Sequence, residues 1–155
     1  MELFLLRHAD AETEALTDEG RSLSEKGANQ ARKVAQFCET HALKLEIILT
    51  SPVRRAHETA QIMADLLHAD LLDSRWLACG MRAETALDEL RAYQKFQRVM
   101  LVGHEPDFSL FATHLLGSGD GPSIRIRKAS LTHIELPAFA PGAGILQFSI
   151  PCRLM

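Results

Sequence analysis

Two histidines and three arginines stand at or shortly after the ends of short apolar runs, and together they could bind an anion and attack it. Arg7-His8 follows Leu3-Phe4-Leu5-Leu6, and His104-Glu105-Pro106 follows Val99-Met100-Leu101-Val102-Gly103. Between them, Ser51-Pro52-Val53-Arg54-Arg55 follows Leu45-Glu46-Ile47-Ile48-Leu49-Thr50. A short apolar run that breaks at polar residues reads as a buried strand, and open α/β sheets bind ligands at the carboxyl ends of their strands. Guanidinium forks match the oxygens of a tetrahedral oxyanion in pairs. Imidazole is neutral near neutral pH and can serve as a nucleophile when its other nitrogen is held. A phosphoryl group requires this combination: cations and oriented donors around its oxygens, and an uncharged nucleophile behind phosphorus. On this reading Arg7, one of Arg54 and Arg55, and a helix N-terminus at Ser51 supply the positive field, and His8 supplies the nucleophile.

The elements that must position these residues alternate between strand and helix. After Ser24, a plausible N-cap, Ala28, Ala31, Val34, Ala35 and Cys38 recur at helical spacing, which predicts a helix over about 24–41. Ser51 reads as the N-cap of a second helix, with Pro52 at its first position and Val53, Ala56, Ala60, Met63 and Leu67 as its buried stripe. Ala86, Leu87, Leu90 and Tyr93 predict a third helix near 82–96. Phe108, Phe111, Ala112 and Leu115 predict a fourth, begun by Pro106 and stopped by Gly117. Ile124-Arg125-Ile126-Arg127 reads as a strand, and two more strands, about 130–136 and 145–150, could pair across the loop 137–144. The tract 117–122 reads as a glycine-rich loop. The alternation implies a three-layer α/β/α fold with a mainly parallel central sheet, in one domain over residues 1–155.

Three motifs, in order and each behind a strand, carry a family resemblance. Arg7-His8, Ser51-Pro52-x-x-Arg55-Ala56-x-x-Thr59 and Val102-Gly103-His104-Glu105-Pro106 resemble the histidine phosphatase, or phosphoglycerate-mutase-like, superfamily. The short chain and Arg21-Ser22-Leu23-Ser24-Glu25-Lys26-Gly27 are most similar to its SixA-type phosphohistidine phosphatases. The resemblance implies a phosphohistidine intermediate on His8, hydrolysed by water. It also implies that Arg7, Arg55 and His104 bind the transferring phosphoryl group, with His104 as a protonated donor, and it selects Arg55 over Arg54. Ser51 is first a cap, any contact with phosphate being secondary. Two departures stand out: Ala9 replaces a glycine common after Arg-His, and Lys128-Ala129 replaces a usual lysine-glycine pair.

The leaving group separates the substrates. Cleavage of a phosphoester benefits from a general acid by about 10²–10⁴-fold, whereas the imidazole leaving phosphohistidine is easily protonated. Ester-cleaving relatives are expected to carry a glutamate between the second and fourth strands. The corresponding stretch, Trp76 to Ala83, holds no carboxylate before Glu84, and only Asp10 and Glu105 could substitute. The expected substrate is therefore phosphohistidine on a partner protein, a phosphotransfer or phosphocarrier domain. The alternatives are a small phosphorylated molecule, or an interaction module that binds phosphate with little turnover.

Composition narrows the classes. Seventeen Lys and Arg against twenty Asp and Glu leave a net charge of −3, without the basic excess of a nucleic-acid binder. The first apolar run is too short for a secretory core or a membrane span, so the cytoplasm is expected. Cys38, Cys79 and Cys152 are widely spaced and suggest neither a disulfide framework nor a zinc site. The seven histidines form no HxH or HExxH, and flanking arginines would repel a divalent ion, so no metal or other cofactor is expected. The remaining histidines need no functional role: His41 and His68 fall near helix C-termini, and His57 reads as a solvated helical residue. His114 and His133 carry no signal.

Overall fold

A computed structural model describes residues 1–119, 121–122 and 124–155, which leaves Asp120 of the glycine-rich tract outside the described residues. Six strands, β1 (Glu2–Arg7), β2 (Ile47–Thr50), β3 (Asp70–Asp73), β4 (Arg98–Gly103), β5 (Leu131–Glu135) and β6 (Ile145–Ile150), form one sheet in the order β3-β2-β4-β1-β5-β6. The pairings from β3 through β1 are parallel, and β5 and β6 add an antiparallel margin. Among the described residues four α-helices cover it: α1 (Glu25–Thr40), α2 (Arg54–Leu67), α3 (Ala83–Leu90) and α4 (Asp107–Leu116). No helix among the described residues is long and apolar enough to cross a membrane.

Strand alternation divides the core into two layers. Leu3, Leu5, Leu49, Val99 and Leu101 face α3 and α4, where they meet Leu87, Leu90, Phe108 and Phe111. Phe4, Leu6, Ile48, Met100 and Val102 face α1 and α2, where they meet Val34, Cys38, Ala60 and Met63. A strand covered on both faces must be apolar at every position, which is why Leu3 through Leu6 form an unbroken run and are all fully buried. Each such side chain contributes about 1.5–3 kcal/mol by leaving water. The energy of the core thus concentrates on the strands whose ends carry the polar motifs.

Local signals account for most helix boundaries. The Ser24 hydroxyl accepts from the Gly27 amide at 3.0 Å and starts α1. A Cβ on Gly27 would come within 1.9 Å of the Asp10 carbonyl oxygen. Alanine would gain about 1 kcal/mol of helix propensity there, but a clash with backbone outweighs that gain because neither chain can yield without moving the segment after His8. Gly117 ends α4 at φ 63°, in the left-handed region. Ala129 also lies in that region, at φ 53°, which is why a glycine suits the position; its methyl is fully buried in the α1/α2 layer, which offsets the strain.

Four elements differ from expectation. β3 has no alternation or apolar run to announce it; it is an exposed edge that exists by pairing with β2, from Ile47 opposite Asp70 to Thr50 opposite Asp73. The third helix stops at Leu90, and Arg91–Tyr93 form a tighter 3₁₀ turn. Residues 124–127 are not a strand, although Ile126 is fully buried. Finally, α2 begins at Arg54, with extended Val53 as its cap residue, so Ser51 is not the N-cap and Pro52 precedes the helix. The Ser51 hydroxyl accepts from the Val53 amide at 3.2 Å and is also engaged across the sheet, which holds the chain extended for two more residues.

Candidate active site

Parallel pairing brings the three motifs to one edge. Arg7 lies opposite Gly103 and Thr50 opposite Val102, so the residues that follow, His8, His104 and Ser51, emerge side by side. Two bonds extend the ladder past the strand ends: the His8 amide donates to the Gly103 carbonyl at 3.0 Å, and the Ser51 amide to the Val102 carbonyl at 2.9 Å. The His8 and His104 ring centroids are 5.3 Å apart. Arg7, His8, Ser51, Arg55 and His104 are thereby gathered at one sheet edge.

His8 is held in one tautomer. Its Nδ1 lies 2.8 Å from the Ala9 carbonyl, which can only accept, so the ring proton is on Nδ1. Nε2 keeps its lone pair and accepts from Arg55 Nε at 3.3 Å. Thr59 explains its own place in the motif: its hydroxyl accepts from the Ala9 amide at 3.1 Å and donates to the Arg55 carbonyl at 2.7 Å. One threonine thus ties the backbone just after His8 to the first turn of α2.

The arginines differ in their surroundings. Arg55, on the first turn of α2, is only 6% exposed. Its Nη1 donates to the Asp18 carbonyl at 2.8 Å, its Nη2 pairs with the Asp18 carboxylate at 3.1 Å, and Cys79 Sγ lies 3.8 Å from Nη2. Arg54 points away and pairs with half-buried Glu58 at 2.7 Å. Arg7 Nη1 donates to the Ile126 carbonyl at 3.1 Å. Arg7 Nε is buried with no hydrogen-bond partner among the described residues, and so is His104 Nδ1. His114 Nε2 and His133 Nε2 share that property, on α4 and β5.

Burial, with the neighbouring charges, decides protonation. Loss of solvent pushes His8 down to about 3, with His104, Arg55 and Arg7 adding to the effect against the Ala9 hydrogen bond. Burial first, then Arg55, pushes His104 down to about 4. The protonated His104 implied by the resemblance is therefore not the form favoured in this structure. Both rings are neutral near pH 7. Because unfolded histidine binds its proton near the ordinary 6.5, the unfolded state takes up protons first as the pH falls. The contribution of these rings to stability is present above pH 6.5 and is lost as pH falls through the interval toward about 4 and 3. Thermal denaturation should show a falling melting temperature over this range, and a His8→Asn/His104→Asn variant should fall less steeply; an equally steep variant contradicts the assignment.

The carboxylates sort themselves by environment. Asp10 accepts from Lys128 at 2.7 Å and from Ser24 at 2.9 Å, and the Lys128 bond above all keeps it ionised below the usual range. Lys128 is therefore held at the site by an ion pair with Asp10. Glu84 is an exposed first-turn residue of α3 beside Arg82, in the place expected. Glu105 is half-buried, accepts from Ser109 at 2.9 Å, and is pushed up by burial. His57 pairs with Asp73 at 2.8 Å, while His41 and His68 are the C-cap residues of α1 and α2. Sequence reading missed Asp18, which sits in an exposed acidic loop with no periodicity, and the Ile126 carbonyl, which no side-chain motif can announce.

Comparison with known proteins accords with this geometry. The family model of the histidine phosphatase superfamily (branch 1) matches residues 3–75. Phosphohistidine phosphatase SixA of Escherichia coli (strain K12) is 32% identical over 158 residues, covering 99% of this chain and 96% of that protein. An uncharacterised protein of Picosynechococcus sp. is 31% identical over 139 residues, covering 84% of this chain and 82% of its own length. The solved structure of the protein histidine phosphatase SixA complexed with tungstate shares the fold, with TM-score 0.89, 23% identity and 100% coverage of both chains. With whole-length identity of this degree and all three strand-end motifs brought to one edge, the chain belongs to the histidine phosphatase superfamily and is a SixA homologue.

Proposed function

We propose that this phosphatase removes the phosphoryl group from phosphohistidine in a partner protein, through a phosphohistidine intermediate on its own His8. The observation that carries the proposal is the pair of buried nitrogens without a partner among the described residues, Arg7 Nε and His104 Nδ1, at the same strand ends as a neutral imidazole whose Nε2 keeps its lone pair. Unmet buried donors are costly, and phosphoryl oxygens would satisfy them. Arg55 donates to the attacking nitrogen in this structure; an incoming oxygen would take over that N–H and release the Nε2 lone pair. His8 Nε2 then attacks phosphorus, and the P–N bond to the substrate breaks as its electron pair returns to the leaving imidazole, which takes a proton from water. A water oxygen next attacks phosphorus, the P–N bond to His8 breaks as its electron pair returns to Nε2, the attacking water gives up a proton to solvent, and inorganic phosphate leaves. The arrangement asks for no metal, since the guanidinium groups already supply the positive charge. Three free cysteines fit a reducing compartment such as the cytoplasm.

Phosphoester cleavage on a small molecule is the second reading, and Glu105 favours it. A carboxyl pushed up by burial is suited to protonate an alkoxide. The two readings separate in one experiment, hydrolysis of a phosphohistidine protein against p-nitrophenyl phosphate. The first reading requires preference for the phosphohistidine protein, and preference for the ester defeats it. Glu105→Gln should leave phosphohistidine hydrolysis within about threefold while lowering ester hydrolysis by about 10-fold or more, the lower range of general-acid effects. Equal losses on both substrates would remove Glu105 as a leaving-group acid.

A further inference from the structure

We propose that Ser51 is a positioning residue whose hydroxyl proton holds His104 in the Nδ1–H tautomer, so that the neutral ring donates to a phosphoryl oxygen. The inference rests on the phosphoryl-pocket reading and deepens it. Ser51 is completely buried and His104 is 2% exposed. Ser51 Oγ lies 2.8 Å from His104 Nε2, and the same oxygen accepts from the Val53 amide at 3.2 Å.

A serine hydroxyl has one proton and two lone pairs, so with Val53 on one lone pair two arrangements remain. If His104 carried its proton on Nε2, that proton would use the second lone pair. The Ser51 proton would then lack an acceptor, and Nδ1 would keep a bare lone pair where an oxyanion is to be bound. If instead Ser51 donates to Nε2, the serine is satisfied and Nδ1–H becomes the single donor left over. The second arrangement strands one buried polar group rather than two, and His104 Nδ1 is the atom found buried without a partner among the described residues. Burial and Arg55 already disfavour the imidazolium, so the choice between neutral tautomers matters. The two rings of the site thus share a tautomer for opposite ends. On His8 the Ala9 carbonyl fixes Nδ1–H and frees Nε2 to attack; on His104 the Ser51 hydroxyl occupies Nε2 and frees Nδ1–H to donate.

The test uses the full chain, ¹⁵N-resolved NMR of the histidine rings, and vanadate as the oxyanion probe. At pH 7 the wild type should show His104 with a protonated Nδ1 and a bare Nε2. Ser51→Ala should give a mixed or Nε2–H ring and weaken vanadate inhibition about tenfold or more, the scale of a hydrogen bond to a charged group. Ser51→Thr, which keeps the hydroxyl, should restore the spectrum and recover most of the affinity. A packing role alone would lower the melting temperature without moving the ring nitrogens. A wild-type ring protonated on Nε2, or a folded Ser51→Ala with wild-type ring and vanadate affinity, overturns the proposal. Wild-type protein that fails to bind vanadate overturns the phosphoryl-pocket reading itself, and does so before any variant is made.

Discussion

His8→Ala is expected to form no phosphoenzyme and to lose at least about 10⁴-fold in kcat, the scale on which removal of a covalent nucleophile is felt. The measurement mixes the protein with a ³²P-labelled phosphohistidine donor and follows acid-labile label on the chain. Wild type should carry label at residue 8 that decays to inorganic phosphate. The loss will not be a disguised folding defect, because the ring makes two hydrogen bonds, to the Ala9 carbonyl and from Arg55 Nε, whose removal costs about 1 kcal/mol each. A melting temperature near that of wild type checks this. Persistent label in the variant would mean that another nucleophile operates, and the strand-end reading of the site would fail.

Arg55→Lys should lower kcat/KM by about 10²–10³-fold, whereas Arg54→Ala should change it by no more than about twofold. Adjacent residues of the same type make this a sensitive comparison. Arg55 Nε touches His8 Nε2 while its two Nη atoms reach Asp18, so one planar fork spans His8 and the loop beyond it. An ammonium is a point charge and cannot keep those directions together. Arg54 makes one solvent-exposed pair with Glu58, a kind of interaction worth about 0–1 kcal/mol. Steady-state kinetics on a phosphohistidine protein decides the matter, and similar losses at both positions would contradict the assignment.

The strands that carry the chemistry were legible because both faces of β1, β2 and β4 are buried. Burial on both faces demands a continuous apolar run, and such a run stops visibly where Arg7, Ser51 and His104 begin. The start of α1 was legible for a local reason, since the Ser24 cap is satisfied within its own turn. The exposed edge β3 left no such mark, because its hydrogen bonds come from β2 and its side chains need not be apolar. Ser51 shows the same limit at one residue. By type and spacing it is a good N-cap, but its hydroxyl is engaged by a ring that lies 53 positions further along the chain.

Sequence alone therefore settled which residue types stand at the strand ends, since hydrophobic periodicity and capping are local and write themselves into neighbouring positions. It could not assign their partners. The neutrality of both rings, the bond from Arg55 to His8, the grip of Asp18 on Arg55 and the contact of Ser51 with His104 all arise between segments far apart in the chain. Desolvation and hydrogen-bond direction depend on what surrounds an atom in space, and those surroundings exist only once parallel pairing has aligned β1, β2 and β4.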